Sequence, residues 1–238
     1  RYLHPFINCT CCGPRLTILD SLPYDRERTS MKEFPMCPDC AKEYNDPVTR
    51  RYDAQPVCCN ECGPEVYLIG REERGREAIT YARKTIAEGG IVAIKGIGGF
   101  HLCCDASDET AVSRLRQLKH RPMKPFAVMA KDLKAVRKEC EVSTEQVRIL
   151  DGHQKPILLL DKKKEAKNLC LSVAPGNPKV GVMLPYAPVQ LLIFTYDDGI
   201  EIPEFLVMTS GNTSGAPICR DDQEAEAELS GFCDCMLS

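Results

Sequence analysis

Short apolar runs alternate with amphipathic segments from about residue 70 onward, and this pattern predicts a mixed α/β domain. Apolar residues recur at helical spacing from Gly75 to Gly89, and Gly89-Gly90 is a typical helix end. Further helices are predicted at residues 108–118, 132–139, 143–150, 189–194 and 221–229. Strands are predicted at residues 91–94, 102–104, 126–129, 157–160, 180–184 and 205–208. About six strands mixed with as many helices predict an α/β (α+β) fold, a twisted mixed sheet with flanking helices.

The part of the chain before Gly70 lacks this periodicity. The segment 15–34 is polar and broken by proline, so it cannot bury a core of its own. Bound metal is therefore expected to supply much of the order in this region, and the segment is expected to be loosely held. The sequence predicts two domains, a small one at residues 1–70 and a larger one at residues 71–238.

Cysteine spacing indicates which metal the small domain binds. Of the 15 cysteines in the chain, the first eight lie at or before Cys62, and six of these form the C-x-x-C pairs Cys9/Cys12, Cys37/Cys40 and Cys59/Cys62. The length of the loop between Cys40 and Cys59 falls within the range typical of a structural zinc site. We therefore expect Zn²⁺ at Cys37, Cys40, Cys59 and Cys62. The later cysteines lack this spacing, and most are expected to be buried apolar residues.

An internal repeat bears on the remaining pair. Aligning the chain with itself so that Arg1 falls on Arg51 places Cys9 on Cys59, Cys12 on Cys62 and Gly13-Pro14 on Gly63-Pro64. Residues 1–14 are thus expected to be the second half of an equal finger, with Cys9 and Cys12 as half of a second metal site. A pairing of Cys9/Cys12 with Cys37/Cys40, across the longer segment between Cys12 and Cys37, remains open. A redox role is less favoured, because no thioredoxin-like strand precedes any pair.

Composition excludes several classes of protein. With 43% apolar and 27% charged residues the chain is typical of a soluble globular protein, and its net charge of −3 argues against a generic polyanion-coating protein. It has no run of about 18 apolar residues and no secretory signal, so we expect no membrane partner and a reducing, cytoplasmic location. The absence of Trp disfavours aromatic stacking on single-stranded nucleic acid.

Two segments of the larger domain are candidates for binding phosphate. The glycine-rich stretch 95–101 follows a predicted strand and could hold a phosphate through backbone N–H groups, although a plain tight turn remains open. The stretch 119–126 carries Lys119, Arg121 and Lys124 between a predicted helix and a strand. Such a cluster suits a polyphosphate, since Arg can contact two oxygens at once. A solvated helix C-terminus is the alternative.

A third candidate segment is 209–215, which reads T-S-G-N-T-S-G after an apolar run. Small hydroxyls and an amide on a flexible turn that contains glycine are well placed to bind a ligand by hydrogen bonds. A turn without function remains the alternative interpretation.

Together these segments resemble the YrdC/Sua5 nucleotide-binding domain. The resemblance rests on K-x-R at 119–121, K-P-F-A-V-M at 124–129 and S-x-N at Ser210 and Asn212. The tandem C-x-x-C-G-P fingers narrow it to the HypF family of hydrogenase maturation factors. The stretches 95–102 and 182–186 are similar to the HypF version of the domain, so the resemblance covers essentially all 238 residues.

The resemblance implies a carbamoyltransferase. HypF-like proteins convert carbamoyl phosphate and ATP into carbamoyl adenylate and pass the carbamoyl group to the C-terminal Cys of HypE, for the cyanide ligand of nickel–iron hydrogenase. It implies that Lys119, Arg121 and Lys124 bind the ATP phosphates, with Mg²⁺, and that Ser210 and Asn212 bind the nucleotide. Lys95 and His101 are expected on the carbamate side, because the glycines between them allow close backbone approach.

The resemblance also sets an expectation about completeness. In this family an acylphosphatase-like domain lies upstream of the fingers, and a metal-binding Kae1-like domain lies downstream. Because the sequence begins with Arg1, we expect it to be a piece of a longer chain that lacks the full carbamoyl phosphate reaction.

Two other function classes stay open at this point. A tRNA threonylcarbamoyl-adenylate synthase would share the nucleotide segments, but its usual threonine pocket is replaced here by residues 95–101, and its simple form has no fingers. A double-stranded RNA-binding module is the non-enzymatic alternative, since YrdC-like folds carry a concave basic surface. RNA is possible as a partner but is not favoured.

Overall fold

The computed structural model describes residues 2–10 and 13–238 and divides the chain into two compact units, Arg1–Glu65 and Val66–Ser238. In the first unit the helix α1 (Pro38–Asn45) follows two short 3-10 turns, Arg26–Arg28 and Ser30–Glu33. Pro38 suits the first turn of α1, where its missing N–H has no partner to lose.

The segment 15–34 is more ordered than its composition predicts. Thr29 and Met31 are buried, and the Arg26 guanidinium donates to the backbone oxygens of Phe34 (2.7 Å), Gln55 (2.6 Å) and Val57 (2.8 Å). Burial lowers the pKa of Arg26. One buried guanidinium thus ties the segment to residues 55–57 by hydrogen bonds, which apolar periodicity does not report.

The second unit is an eight-stranded mixed sheet with helices. Its helices are α2 (Gly75–Ala87), α3 (Glu109–Leu118), α4 (Leu133–Glu139), α5 (Thr144–Asp151), α6 (Pro188–Thr195) and α7 (Asp222–Leu229). Its strands are β1 (Val92–Gly96), β2 (Gly99–Asp105), β3 (Ala127–Ala130), β4 (Cys140–Glu141), β5 (Leu158–Lys162), β6 (Lys179–Met183), β7 (Phe205–Ser210) and β8 (Cys235–Leu237). The strand order is β4-β5-β6-β3-β7-β2-β1-β8. The predicted fold class is confirmed, while β4 and β8 were not predicted.

The helix starts follow from local chemistry. Asp108 accepts from the backbone N–H groups of Thr110 and Ala111 at the start of α3, and Asp132 accepts from Ala135 N at the start of α4. Ser143 and Gln146 form a reciprocal capping box at the start of α5. These side chains satisfy N–H groups that the helix itself leaves unpaired.

One face of the sheet forms the main apolar core. Alternate residues of β2 and β7, among them Phe100, Leu102 and Val207, pack with residues of α3 and α7 such as Leu115 and Leu229. Five of the seven later cysteines are buried, as predicted: Cys103, Cys104, Cys140, Cys219 and Cys235. Burial raises the pKa of Cys140 and of Cys235 to about 11, so these two are protonated thiols at neutral pH.

The sequence predicts that the glycine-rich stretch 95–101 is a single turn, but in the structure most of it lies in two paired strands. β1 and β2 pair as an antiparallel hairpin as far as Gly96 and Gly99, which leaves a short loop of Ile97 and Gly98. Gly98 adopts φ +92°, a conformation that favours glycine. Lys95 and His101 therefore lie in strands, and because Lys95 is opposite Phe100, the neighbour of His101, the two side chains project from opposite faces.

A buried ion pair joins α2 to the loop that follows α6. The Arg83 Nε lies 3.0 Å from Asp198 Oδ2, and the two side chains are only 2% and 5% exposed. Arg83 also donates to the backbone oxygens of Leu192, Ile193 and Ile200. Burial alone would raise the pKa of Asp198, but the Ile200 N–H and Arg83 outweigh it and lower the pKa.

Among the described residues no helix is both long and apolar enough to cross a lipid bilayer.

We predict that Arg83→Met lowers the free energy of unfolding by about 3–5 kcal/mol, because it leaves the Asp198 carboxylate buried without its partner. Urea denaturation measures this change. Arg76→Met on the same helix is the control: its ion pair with Asp197 is 2.9 Å long but 57% and 44% exposed. The control should change the free energy by about 1 kcal/mol or less. Equal losses in the two variants would contradict the assigned role of the buried pair.

Candidate functional site

Four cysteine sulfurs meet in the first unit. Cys37 stands immediately before α1, Cys40 lies in its first turn, and Cys59 and Cys62 share a later turn. All four sulfur atoms lie within 4.8 Å of one another. The separations are 3.7 Å for Cys37–Cys59, 3.7 Å for Cys59–Cys62 and 3.6 Å for Cys40–Cys62.

These separations fit a tetrahedral zinc ion. Four thiolates at the usual Zn–S bond length of about 2.3 Å stand about 3.8 Å apart along the tetrahedron edges, whereas a disulfide would need about 2.05 Å. A set of four sulfurs without carboxylate is the donor set of a closed structural site. Gly63 completes the second turn, since a Cβ there would lie 2.9 Å from Cys58 Sγ and Cys59 O.

Of the third cysteine pair, the structure describes only Cys9, which is not part of this cluster. Cys9 is exposed and lies outside the group of four, and Cys12 lies outside the described residues. The structure therefore brings together the four sulfur atoms of the local pairing, in which Cys37/Cys40 join Cys59/Cys62. The half-site proposed for Cys9 and Cys12 stays a prediction.

In the second unit, Lys119 organises the loop that follows β7. Its ammonium, at the end of α3, donates to Ser210 O (2.7 Å), Asn212 O (2.9 Å) and Asn212 Oδ1 (3.1 Å). Burial, and then the charge of Arg121, lower the pKa of Lys119 to about 8. The side chain is 5% exposed, so the charge depends on these oxygens for solvation.

The S-x-N pair is engaged within the same loop. Ser210 Oγ donates to Asn212 Oδ1 (2.7 Å), and Asn212 Nδ2 donates to Ala216 O (2.6 Å). The two side chains therefore fix the shape of the loop that Lys119 holds. A ligand would meet the remaining hydroxyls and N–H groups of this loop and the half-exposed faces of both side chains.

The other two predicted phosphate-binding cations differ in their surroundings. Arg121 donates to the backbone oxygens of Lys124 (3.1 Å) and Pro125, and more weakly to Thr209 Oγ1 (3.4 Å). It also stacks 4.8 Å from the Phe126 ring centroid. Burial, followed by the nearby Arg116, lowers the pKa of Arg121. The Lys124 side chain is exposed.

Lys95 and His101 are not brought together. Lys95 Nζ forms an ion pair of 2.7 Å with Asp222 Oδ1 and also donates to Ser238 Oγ. His101 projects on the face that carries Ser210, its cross-strand partner in β7. Burial lowers the pKa of His101, so the ring is neutral at neutral pH. The expectation that both side chains serve the same bound group is thus not supported by their orientation.

Sequence reasoning missed two groups beside these residues. Arg116 donates to the backbone oxygens of Arg121 (2.7 Å) and Lys124 (3.1 Å), so it shapes the segment that carries the cations. Tyr186 and Gln190 lie close to His101 around Gly96. Arg116 lies four residues after the buried Val112, on the inner face of α3, but its position in the sequence does not show which backbone oxygens its guanidinium will contact. Gln190 gives a weak one, three residues after Ala187 at a helix start.

Comparison with protein families matches both units. The Sua5/YciO/YrdC family model, described as "Telomere recombination", matches residues 84–238. The model described as "HypF finger" matches residues 1–19 and 36–69.

Similar proteins cover the whole chain. Carbamoyltransferase HypF of Rhodobacter capsulatus is 46% identical over 235 residues, which are 98% of this chain and 31% of that protein. Probable carbamoyltransferase HypF of Methanocaldococcus jannaschii is 40% identical over 240 residues, 100% of this chain and 30% of its own length. The chain thus spans about a third of the length of these curated relatives.

Solved structures agree with this match. A full-length HypF in its phosphate- and nucleotide-bound form is 49% identical, with a TM-score of 0.88 over 100% of this chain and 30% of that one. The Sua5 of P. abyssi complexed with L-threonine is 22% identical, with a TM-score of 0.58 over 70% of this chain and 48% of that one. This second likeness shows the fold alone.

We predict that the chain binds about one tightly held Zn²⁺ per molecule. Cys37→Ser should lose this zinc, because three thiolates leave a ligand position to water. Cys9→Ser is the matched control and should keep the zinc, since Cys9 lies outside the cluster. Native mass spectrometry counts the bound metal. Zinc retained by Cys37→Ser, or lost from Cys9→Ser, would show that the ligand set is wrong.

Proposed function

The chain belongs to the Sua5/YciO/YrdC family and is similar throughout its length to HypF carbamoyltransferases, and from this premise we propose that Val66–Ser238 binds ATP and forms carbamoyl adenylate. The observation that carries the proposal is the loop after β7, which the buried ammonium of Lys119 holds beside Arg121 and His101. A HypF of 49% identity that is described as nucleotide-bound supports it.

The proposed step joins a carbamate oxygen to the α-phosphorus of ATP. The bond from the α-phosphorus to the bridging oxygen of the β-phosphate breaks, and pyrophosphate leaves with its electron pair. No protein nucleophile is needed, because catalysis here consists of positioning and charge neutralisation. Mg²⁺ would arrive with the ATP phosphates and neutralise part of their charge.

Each cation has a distinct part in this proposal. Lys119 fixes the loop and contributes a buried positive charge next to the nucleotide. Arg121 turns toward the phosphates by giving up its weakest contact, the 3.4 Å hydrogen bond to Thr209 Oγ1. Lys124, which is exposed, reaches the outer phosphates as a mobile point charge.

The later fate of the carbamoyl group belongs to the same proposal. We propose transfer to the C-terminal Cys of a HypE-like acceptor, with the cyanide ligand of nickel–iron hydrogenase as the eventual product. The similarity to HypF proteins supports this. Because the chain spans about a third of those relatives, the complete reaction is proposed for the longer protein.

Arg121→Ala is predicted to weaken ATP binding by about 1.5–3 kcal/mol, the range for a hydrogen bond to a charged group. Isothermal titration calorimetry with MgATP measures the effect. Arg148→Ala is the matched control, because the Arg148 side chain is 82% exposed on α5 and forms only a 3.7 Å ion pair with Glu145. Thermal unfolding of both variants separates a lost contact from a lost fold. Unchanged ATP affinity in folded Arg121→Ala would remove residues 119–121 from the site.

Lys119 predicts a pH dependence of ATP binding. Its pKa of about 8 without ligand should rise when phosphate binds nearby, so binding takes up a proton above pH 8. ATP affinity should therefore fall about tenfold between pH 7 and pH 9, because over this range the ammonium of the unliganded chain loses its proton with a pKa of about 8. Calorimetry in buffers of different ionisation enthalpy detects the proton directly.

Two variants test the assignment of this proton. Lys119→Met should bind ATP more weakly and lose the decline, whereas Lys124→Ala should keep the decline. An identical pH profile in Lys119→Met would assign the proton to another group.

A further inference from the structure

A small polar recess lies at Gly96, the last residue of β1. A Cβ at this position would stand 3.4 Å from His101 Nδ1, 3.5 Å from Tyr186 Oη and 3.6 Å from Gln190 Nε2. Three polar atoms from different parts of the unit thus surround one point. All three distances are ordinary contacts, so the point has room for one small group.

One wall of the recess is an unsatisfied histidine nitrogen. His101 Nδ1 is buried and has no hydrogen-bond partner among the described residues. Buried polar atoms are nearly always paired, and an unpaired one costs roughly 1–3 kcal/mol. A ligand that brings its own hydrogen-bonding group would remove this cost. Since burial keeps the ring neutral, its two nitrogens offer one donor and one acceptor.

The second wall is a glutamine whose orientation is fixed. Gln190 is 2% exposed, and its Oε1 accepts from the backbone N–H groups of Tyr186 (2.9 Å) and Ala187 (3.1 Å). These two bonds identify which end of the amide is oxygen. The Nε2 donor therefore points at the recess. The Tyr186 ring meets His101 edge-on at 6.5 Å between centroids, and its hydroxyl can donate or accept.

The recess adjoins the loop held by Lys119. His101 and Ser210 are direct cross-strand partners in β2 and β7, so their side chains leave the same face about 5 Å apart. Ser210 Oγ donates a hydrogen bond to Asn212 Oδ1, which also accepts one from Lys119 Nζ. A group that extends a few ångströms beyond a phosphate bound at this loop would reach Gly96.

Resting on the proposed function, we propose that the Gly96 recess receives the terminal carbamoyl group of the acyl adenylate. Gln190 Nε2 and Tyr186 Oη donate to its carbonyl oxygen, and its NH₂ donates to His101 Nδ1. A carbamoyl group is planar, small, and carries both an acceptor and a donor, which is the complement of these three atoms. The missing side chain at Gly96 provides the space. Tyr186, Gln190 and Gly96 thus determine specificity for the acyl end.

A pair of ligands tests this contact. 5′-O-(Carbamoylsulfamoyl)adenosine is a stable mimic of carbamoyl adenylate and, like it, an anion, whereas 5′-O-sulfamoyladenosine lacks the carbamoyl group and is uncharged at neutral pH. The change that a recess variant makes in the ratio of the two affinities therefore reports the contact itself. Calorimetric titration of the chain with each gives the ratio of the two affinities. We expect the carbamoyl compound to bind about tenfold or more tightly, as hydrogen bonds to an otherwise unpaired polar group would give.

Two variants alter the recess and leave the nucleotide loop intact. Gln190→Glu keeps the acceptor for the Tyr186 and Ala187 N–H groups and removes the donor. Gly96→Ala fills the space without strain, since no contact is closer than 3.4 Å. Each should reduce the affinity ratio about tenfold while the affinity for sulfamoyladenosine stays within about twofold.

Each variant has a matched control elsewhere in the unit. Gln146→Glu replaces another glutamine whose Oε1 accepts a helix-start N–H, that of Ser143 at 2.8 Å. Gly231→Ala adds a methyl group where nothing lies within 4 Å. Both controls should keep the ratio of the unaltered chain.

The results distinguish a failure of the proposed nucleotide site from a failure of the proposed carbamoyl recess. If neither compound binds the unaltered chain, the proposed nucleotide function fails. If both bind with equal affinity, or if Gln190→Glu and Gly96→Ala keep the full ratio, the nucleotide site stands and the recess is not the carbamoyl site. Should one variant fail to fold, Tyr186→Phe, which removes only a hydroxyl, decides the question.

Discussion

The buried ammonium of Lys119 is the interaction on which the candidate site depends. A positive charge at the end of α3 is removed from water and solvated by three oxygens of Ser210 and Asn212. Because burying an unpaired ammonium is prohibitively costly, the loop after β7 has to keep these oxygens in place. The pairing of β7 with β2 then places His101 beside the same loop. One charge and one strand pair therefore fix the positions of the ammonium, the loop and the histidine.

A second buried cation shapes the segment between α3 and β3. Arg116 stacks 4.6 Å from the Phe126 ring and donates to the backbone oxygens of Arg121, Lys124 and Val173. A planar guanidinium suits this role, since its five N–H donors reach several carbonyls at once. Arg121 lies over the same ring at 4.8 Å. Such close spacing of like charges is tolerated because both are solvated by carbonyl oxygens, and it leaves a positive potential at the surface for an anion.

The sequence predicted the fold well where the signal is local. Helix starts at Asp108, Asp132 and Ser143 follow from capping chemistry, and C-x-x-C spacing identified the sulfur cluster. The sequence did not predict the two strands that form only through pairing with a neighbouring strand. These are β4 and β8, which have two and three residues, too few for a periodic pattern. The recess at Gly96 was missed for the same reason. His101, Tyr186 and Gln190 converge only after β1, β2 and α6 pack, and the sequence of one element does not show which polar residues of another element will lie beside it.

Cysteine shows how far environment overrides residue type in this chain. In the second unit, burial among apolar side chains raises the pKa of Cys140 and of Cys235 to about 11, which makes them inert thiols. In the first unit burial alone would raise the pKa of Cys62, but hydrogen bonds from the Cys37 and Cys59 backbone and from neighbouring thiols outweigh it and lower the pKa to about 7. A thiol near pH 7 readily becomes the thiolate that zinc requires. The same residue type is therefore apolar filling at Cys140 and Cys235 and a candidate zinc ligand at Cys62, because backbone N–H groups of Cys37 and Cys59 lie beside the Cys62 sulfur.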